Sequence, residues 1–241
     1  MKFSGYSDIG KVRRENEDSF YVPKLDDDIK LFLVADGIGG QNHGKLASMM
    51  AVDEIIKFFI KNYNSYNDYS TLLTDSIKYA NGLVLEFANS KEDFAGMGTT
   101  LVSALINNNE LLLSNAGDSR CYIIRKGIIS QLTVDNSYVQ YLLSKGAIST
   151  EEANNHPQRN LITKAIGLES NIDIDVDCIK LYPEDILLLC TDGLTSMLSD
   201  EEILHIILKN KGNIENATQS LVRKAKDNGG TDNITAILVE V

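Results

Sequence analysis

The sequence of 241 residues is long enough for one large domain or two small ones with a proper hydrophobic core. Its 23 basic and 34 acidic residues give a net charge of −11, which argues against non-specific binding to nucleic acid or anionic membranes, because both need basic patches. No signal peptide is expected from the polar N-terminus, and no stretch approaches the ~20 apolar residues that a membrane helix needs.

The first sixty residues alternate short apolar runs with polar connections. Strands are predicted at 3–8, 19–22 and 29–35, with a polar connection over 10–18 and a turn at 26–28. A glycine-rich loop then leads into a helix whose apolar residues recur at helical spacing, interrupted by Asp53. These residues are expected to face the core, and they are Leu46, Met49, Met50, Ile56 and Ile60.

A second helical pattern precedes four closely spaced strands. Its apolar face, which is also assigned to the core, comprises Leu73, Ile77, Ala80, Val84 and Phe87. The strands are predicted at 101–106, 111–114, 120–125 and 128–132. Because the breaks at 107–109 and 126–127 are of hairpin length, these strands should be antiparallel.

The remaining chain mixes helices and strands. A short helix is predicted over 137–145, stopped by Gly146, and the less regular stretch 147–169 suits a surface lobe. Strands follow at 172–181 and 186–190. A capping box from Ser199 to Glu202 opens a helix, another helix begins at Asn213, and a final strand starts at 234.

Hairpin-linked strands with grouped helices predict an α+β layered fold, not a parallel sheet built from βαβ units. No repeat or linker divides the chain, so residues 1–241 are assigned to a single domain with a small flap lobe over about 136–170. Cys121, Cys178 and Cys190 are odd in number and unrelated in spacing. They are expected to be unpaired thiols, which favours a reducing, cytoplasmic location.

Four aspartates lie at the ends of four apolar runs. Asp36 follows the run 31–35, Asp118 follows 111–114, Asp192 follows 186–190, and Asp232 precedes 234–239. A single Asp-Gly is weak evidence because it is also a common tight turn, but the arrangement recurs. If these strands belong to one sheet system, the carboxylates converge and need cations, since like charges that close repel strongly. Oxygen ligands suit Mg²⁺ or Mn²⁺ and disfavour zinc.

Six short motifs occur together along the chain. They are the segment from Gly10 to Asp18, Asp36-Gly37, Gly96-Met-Gly-Thr-Thr100, Gly117-Asp-Ser-Arg120, Asp192-Gly193 and Thr231-Asp-Asn233. In this order they resemble the metal-dependent protein phosphatases of type 2C. The stretch His156-Pro-Gln-Arg-Asn160, with Ile166-Gly167, resembles the compact bacterial branch of that family. The resemblance covers residues 4–240.

The resemblance implies a four-layer sandwich, in which two antiparallel sheets are flanked by helices on both outer faces. It also implies two or three Mg²⁺ or Mn²⁺ ions, held by Glu17, Asp36, Gly37, Asp118, Asp192 and Asp232. Two such ions about 3.5–4 Å apart can share a bridging water and make it hydroxide-like near neutral pH. That hydroxide would attack the phosphorus directly, without a covalent phosphoenzyme.

The family pattern also implies a role for each ligand. Asp36 would bridge the two ions, and the Gly37 carbonyl would bind one of them. Asp192 and Asp232 would hold the other ion, and Glu17 would support the first ion through water.

The remaining acids have less specific roles. Asp118 with Asp192 would hold a third, weaker ion, although Asp118 could instead be a turn acid paired with Arg120. Asp18 more often stabilises a turn than binds metal, and the resemblance makes it a structural or water-mediated partner.

Arg13 matches the arginine that binds the substrate phosphate in the family. A guanidinium can take two phosphate oxygens at once and oppose the charge that grows during transfer. The alternative is a solvated surface arginine, which is the expectation for Arg14. The implied catalytic residues are therefore Arg13, Asp36 and Asp192.

The sequence departs from the family pattern at three positions. Ile38 stands where animal members have a histidine suited to protonating the leaving group, and His43 cannot be assumed to replace it. Asn136 replaces a usual histidine and Lys45 a usual glutamate. The proton donor is left open, with metal-bound water as one candidate. His43, His156 and His205 are too scattered along the chain to form a ligand set.

The prediction is a monomeric, metal-dependent serine/threonine protein phosphatase that acts on phosphoserine and phosphothreonine. The resemblance suggests that its partners include a membrane-anchored serine/threonine kinase and the proteins which that kinase phosphorylates. One alternative is a catalytically inactive phosphatase-like regulator or scaffold, which the complete set Arg13, Asp36, Asp192 and Asp232 argues against. A second is a phospho-accepting module with Asp36 as acceptor, which would need a parallel βαβ architecture.

Overall fold

The computed structural model describes residues 1–24, 30–39 and 43–241. The turn expected at 26–28 and Gly40 lie outside the described residues. The described strands are β1 (Lys2–Asp8), β2 (Asp18–Tyr21), β3 (Lys30–Ile38), β4 (Gly98–Thr99), β5 (Leu101–Asn107), β6 (Glu110–Ala116), β7 (Arg120–Arg125), β8 (Ile128–Gln131), β9 (Asp177–Lys180), β10 (Ile186–Cys190) and β11 (Ile234–Glu240). The described α-helices are α1 (His43–Asn62), α2 (Tyr69–Ala88), α3 (Tyr138–Ser144), α4 (Thr150–Asn154), α5 (Asp192–Thr195), α6 (Asp200–Lys209) and α7 (Ile214–Asp227).

The strands form two antiparallel sheets. The first has the order β1-β11-β10-β7-β8, and the second has the order β2-β3-β5-β6-β9, with the short β4 paired to the end of β3. The hairpins β5–β6 and β7–β8 pair in antiparallel register, as their short breaks predict.

Three hydrophobic layers hold the sandwich together. A central layer joins the inner faces of the two sheets and contains Phe32 and Val34 from β3 against Leu187 and Leu189 from β10. A second layer packs α1 and α2 on the outer face of the β3 sheet, and a third packs α6 and α7 on the outer face of the β10 sheet. The predicted α+β four-layer architecture is therefore confirmed.

The predicted core face of α1 is only partly right, because Leu46, Met50 and Ile56 pack against the core as partly buried residues. Met49 and Ile60 are 48% and 67% exposed, whereas the buried face contains Ala47, Ala51 and Ile55. The buried face also includes Val52 and Phe59, and its small alanine side chains let the helix approach the sheet closely. The predicted face of α2 holds, since Leu73, Ile77, Ala80 and Val84 are buried and Phe87 packs against the same core.

Strand β3 is longer than predicted and includes Asp36, Gly37 and Ile38. The reason is β4, because Gly37 pairs with Thr99 and Ile38 with Gly98, which extends the strand beyond the buried run. The strand expected at 172–181 is shorter, as only Asp177–Lys180 pairs with β6.

The region after β8 begins with α3. Ser137 caps this helix by accepting a hydrogen bond from the Gln140 amide, and Gly146, with φ +66°, follows the end of the helix. A bridge from Ser137 to Ile162 and another from Thr99 to Ile166 join this region to itself and to β4. No helix in the described ranges is long and apolar enough to cross a membrane.

Candidate functional site

The four aspartates meet at one end of the sandwich. In the β10 sheet, the end of β10 at Cys190 lies opposite Arg120 of β7 and close to the start of β11. Asp118, Asp192 and Asp232 are therefore placed just beyond three adjacent strand ends. In the β3 sheet, Asp36 lies near the C-terminal end of β3 at the same end of the fold.

The backbone of Asp36 is fixed by the threonines that follow Gly98. The Thr100 amide donates to the Asp36 carbonyl at 2.8 Å, and the Asp36 amide donates to Thr100 Oγ1 at 2.9 Å. The Thr99 hydroxyl also donates to the Asp36 carbonyl, at 2.8 Å. This network explains the Gly-Thr-Thr motif, because it holds the carboxylate of Asp36 at a fixed depth in the site.

Gly37 is required by close packing and not by a turn. A Cβ on Gly37 would lie 2.2 Å from the Gly44 carbonyl oxygen at the start of α1. The same helix start receives Glu17, because the Lys45 amide donates to the Glu17 carboxylate. A carboxylate at a helix N-terminus is favoured by the unpaired amides and the helix dipole.

Asp18 belongs to the acidic cluster and does not form a turn. It is the first residue of β2, directly opposite Asp36 in the sheet register. Its Oδ2 accepts hydrogen bonds from the hydroxyls of Thr191 at 3.0 Å and Thr235 at 2.6 Å. Its Oδ1 is buried and has no hydrogen-bond partner among the described residues.

Asp118 is not paired with Arg120, because that arginine is engaged elsewhere. Arg120 forms a fork with Asp135, in which Nε and Nη2 lie 2.9 and 2.6 Å from its oxygens, and its Nη1 donates to the Tyr122 hydroxyl. Asp118 therefore remains available as a ligand at the edge of the cluster.

Burial and mutual repulsion disturb the titration of these acids. Desolvation raises the pKa of Asp36 well above its ordinary value, and Asp18, Asp192, Asp118 and Asp232 add to this effect. Desolvation also raises the pKa of Asp18 to about 7 and that of Asp118 to about 7. The pKa values of these carboxyl groups are therefore raised mainly by burial and further by the neighbouring negative charges.

Arg13 lies beside this cluster and pairs with one member of it. Its Nη2 donates to Asp232 Oδ2 at 2.8 Å, and its side chain is 48% exposed. The other oxygen of Asp232, Oδ1, accepts the Asn233 amide at 2.8 Å. The arginine is thus a half-exposed cation held next to the acids.

The donors fit divalent cations, although they do not form a closed cage. Asp192 Oδ1 and Asp18 Oδ1 are buried carboxylate oxygens without a hydrogen-bond partner in the described part of the chain. Buried charged oxygens of this kind need a proton or a cation. However, no three His, Cys, Asp or Glu side chains of the described residues stand in a metal-ligating arrangement. One of the expected ligands, Asp232, is hydrogen-bonded to Arg13.

A cleft of about 700 Å³ opens onto the cluster at Asp118, Asp192 and Asp232. The opposite wall comes from residues 136–170 and includes Val139, Asn155, Arg159, Asn160 and Ser137. Sequence reasoning used the stretch around Arg159 only for the family resemblance and assigned none of its residues to the site. The sequence feature that could have indicated these residues is an arginine next to an asparagine in an irregular segment.

The three departures from the family pattern have identifiable contacts. Asn136 Oδ1 accepts the Gly117 amide at 3.2 Å, so the residue ties the start of the region 136–170 to the loop before Asp118. Lys45 supplies its backbone amide to Glu17. Ile38 pairs with Gly98 of β4 in the strand register. His43, which was not assumed to replace the missing histidine, packs its ring edge-on against Phe94, with centroids 4.9 Å apart.

The other two histidines lie in different parts of the chain. His205 is exposed on α6, and His156 accepts the Gln158 amide at its Nδ1 at 3.1 Å.

Known proteins resemble this chain along almost its whole length. A family model described as Protein phosphatase 2C matches residues 11–238. The serine/threonine phosphatase stp of Listeria monocytogenes is 38% identical over 237 residues, which cover 97% of this chain and 93% of that relative.

Solved structures give the same result. The crystal structure of the Mycobacterium tuberculosis serine/threonine phosphatase PstP/Ppp matches with a TM-score of 0.90 and 32% identity, over 100% of this chain and 98% of that chain. A crystal structure of the catalytic domain of PstP in complex with two manganese ions matches with a TM-score of 0.87 and 30% identity, over 99% and 97% of the respective chains.

Proposed function

Since the chain belongs to the protein phosphatase 2C family and is a serine/threonine protein phosphatase, we propose that its acidic cluster is the metal-binding active site. The observation that supports this most strongly is Asp192 Oδ1, a buried carboxylate oxygen without a hydrogen-bond partner in the described chain, within a cluster whose pKa values are raised. Asp36, Asp192 and Asp232 would hold two divalent ions, with the Gly37 carbonyl as a further ligand. Glu17 would support one ion from the start of α1.

Mg²⁺ or Mn²⁺ fits this donor set because all its ligands are oxygens. When bound, two such ions would supply a hydroxide-like water nucleophile and neutralise charge on the phosphoryl group. A third ion would lie between Asp118 and Asp192, at the side of the cluster that opens into the cleft.

The chain's own residues would bind and orient the substrate. Arg13 would exchange its contact with Asp232 for two phosphate oxygens and so hold the phosphoryl group over the acidic cluster. The wall formed by residues 136–170, which we propose to be a flap lobe on a single catalytic domain, would contact the peptide around the phosphorylated residue. Arg159 and Asn160 would face that peptide across the cleft.

The cellular context is also a proposal. The substrates are phosphoproteins, and the partners would include a serine/threonine kinase and its targets in a signalling pathway. Cys121, Cys178 and Cys190 are all unpaired, which supports action in the reducing cytoplasm. A monomer is sufficient, because all the proposed ligands come from one chain. No observation favours the inactive scaffold.

The test is hydrolysis of an aryl phosphate by the purified protein with Mn²⁺, followed by chelation, and then of a panel of phosphoserine and phosphothreonine peptides. Turnover should require the metal and return when it is restored. Turnover that survives complete chelation would contradict the proposal.

A further inference from the structure

Asn233 joins the start of β11 to the loop that carries Arg13 and Glu17. The residue is 3% exposed, and its side-chain amide is almost fully used. Its Oδ1 accepts the Glu17 amide at 2.8 Å. Its Nδ2 donates to the carbonyls of Ile9 at 2.9 Å and Glu15 at 3.0 Å.

These contacts lie near both ends of the loop 9–17. At the beginning of the loop, the Lys11 amide donates to the Gly230 carbonyl at 2.7 Å. A Cβ on Gly10 would lie 2.2 Å from the Asp232 carbonyl oxygen, so the loop is in direct contact with the turn before β11. At the other end of the loop, the Asn233 side chain makes the hydrogen bonds that the structure describes between residues 15–17 and the start of β11.

The backbone of Asn233 faces the metal-binding aspartates. Its amide donates to Asp232 Oδ1 at 2.8 Å. Its carbonyl oxygen would lie 1.9 Å from a Cβ on Gly193, the residue after Asp192. One residue therefore contacts the phosphate-binding loop through its side chain and the metal-binding acids through its backbone.

We propose that Asn233 is a positioning residue, which holds Arg13 and Glu17 at a fixed place relative to Asp192 and Asp232. An asparagine is needed because the position requires two donors and one acceptor in one plane. An aspartate of the same shape would lose both donors and would bring a negative charge to two carbonyl oxygens. The functional consequence rests on the proposed function, whereas the physical link between loop and strand does not.

The link itself is tested by amide hydrogen exchange in chelator, which needs no enzyme activity. In Asn233→Leu, which removes the acceptor and both donors, the Glu17 amide should exchange about tenfold faster, since it loses its hydrogen bond to the side-chain oxygen of residue 233. The amides of β11 should remain protected. In Asn233→Asp the acceptor remains, so the Glu17 amide should be affected less than in Asn233→Leu.

A matched control comes from Asn81, another buried asparagine that joins distant segments. Its Nδ2 donates to the Glu169 carbonyl at 2.9 Å, and its Oδ1 accepts the Gly167 amide at 2.8 Å. Asn81→Leu should lower the unfolding temperature but leave exchange in the loop 9–17 unchanged. Equal acceleration of that loop in both leucine variants, or no acceleration in Asn233→Leu, would overturn the inference.

The consequence for the active site is measured separately, with Mn²⁺ present. In Asn233→Asp, inorganic phosphate should inhibit about tenfold more weakly and KM should rise, while in Asn81→Leu the phosphate inhibition constant should stay near the wild-type value. An unchanged phosphate inhibition constant in Asn233→Asp would refute the positioning role. If wild-type protein shows no metal-dependent turnover, the proposed function fails, and the exchange experiment still decides whether the link exists.

Discussion

Arg13 and Asp232, which are 219 positions apart in the chain, are joined by a hydrogen-bonded ion pair with an Nη2 to Oδ2 distance of 2.8 Å. The proposed phosphate-binding cation therefore contacts a proposed metal-binding carboxylate. Because Asp232 Oδ1 also accepts the Asn233 amide, both oxygens of this carboxylate have a donor already. A cation at Asp232 would compete with Arg13 for it, and release of Arg13 would make the guanidinium available to phosphate.

Arg13→Ala should mainly weaken phosphate binding. Loss of a charge-assisted hydrogen-bond pair of roughly 1.5–3 kcal/mol predicts an increase in KM of about 10- to 100-fold. Arg14→Ala is the matched control, because Arg14 is its exposed neighbour and should leave KM close to the wild-type value. Steady-state kinetics on an aryl phosphate measure both variants, and an unchanged KM in Arg13→Ala would exclude its assigned role.

Asp192→Asn should abolish turnover while the fold survives. We expect a loss of at least about 10²–10³-fold, comparable to the removal of one preorganised charge-stabilising group. In chelator the variant should melt at a higher temperature than the wild type, since one carboxylate has left a repulsive cluster.

With Mn²⁺, the wild type should gain more thermal stability than Asp192→Asn, because binding to the folded state stabilises it. Asp53→Asn, which changes an exposed acid on α1, should behave as the wild type in both conditions. A full Mn²⁺-dependent rise in melting temperature in Asp192→Asn would remove Asp192 from the ligands.

The chelated protein should lose stability as the pH rises towards neutrality. The pKa of Asp118 is raised from 3.8 to about 7, so its contribution to stability is fully present below about pH 4 and is lost as the pH passes 7. Urea unfolding in chelator should therefore show the wild type losing stability relative to Asp118→Asn between these limits. If the difference in stability between the two proteins stays constant with pH, or changes in the opposite direction, the pKa of Asp118 is not raised in the folded protein.

Arg125→Met should destabilise the protein without impairing the site. Asp185 is 2% exposed and accepts Arg125 Nε and Nη2 at 2.8 and 2.7 Å. Removal of the arginine leaves this buried carboxylate without a positive partner and with the Tyr182 amide as its remaining donor, at a cost of roughly 3 kcal/mol. The pair lies at the opposite ends of β7 and β10 from Arg120 and Asp192.

The matched control is Lys211→Met. It breaks an ion pair with Glu184 whose partners are 67% and 81% exposed, and should cost less than about 1 kcal/mol. Denaturant unfolding compares the two variants, and equal losses of stability would contradict the importance of burial.

Much of the fold was predictable because it depends on local chemistry. The capping box at Ser199 and Glu202 forms as predicted, and the hairpin between β7 and β8 turns at Lys126 and Gly127, which both have positive φ. The face of α1 was only partly predictable from hydrophobicity, because Ala47 is buried by close packing whereas the larger Met49 is half exposed.

The convergence of the aspartates was predictable from the sequence, but their individual contacts were not. The motifs identify the aspartates, since each lies beside an apolar strand. Sequence could not show that Arg120 binds Asp135 and not Asp118, or that Asp18 lies opposite Asp36. These contacts depend on the register of strands and loops that are distant in sequence, which local patterns do not determine.

The most direct test of the metal centre is an anomalous difference map from crystals soaked in Mn²⁺. We predict two strong peaks between the carboxylates of Asp36, Asp192 and Asp232, with one near the Gly37 carbonyl and metal–oxygen distances of about 2.1 Å. A fully soaked crystal with no peak there, and with these three carboxylates pointing away from one another, would contradict the account.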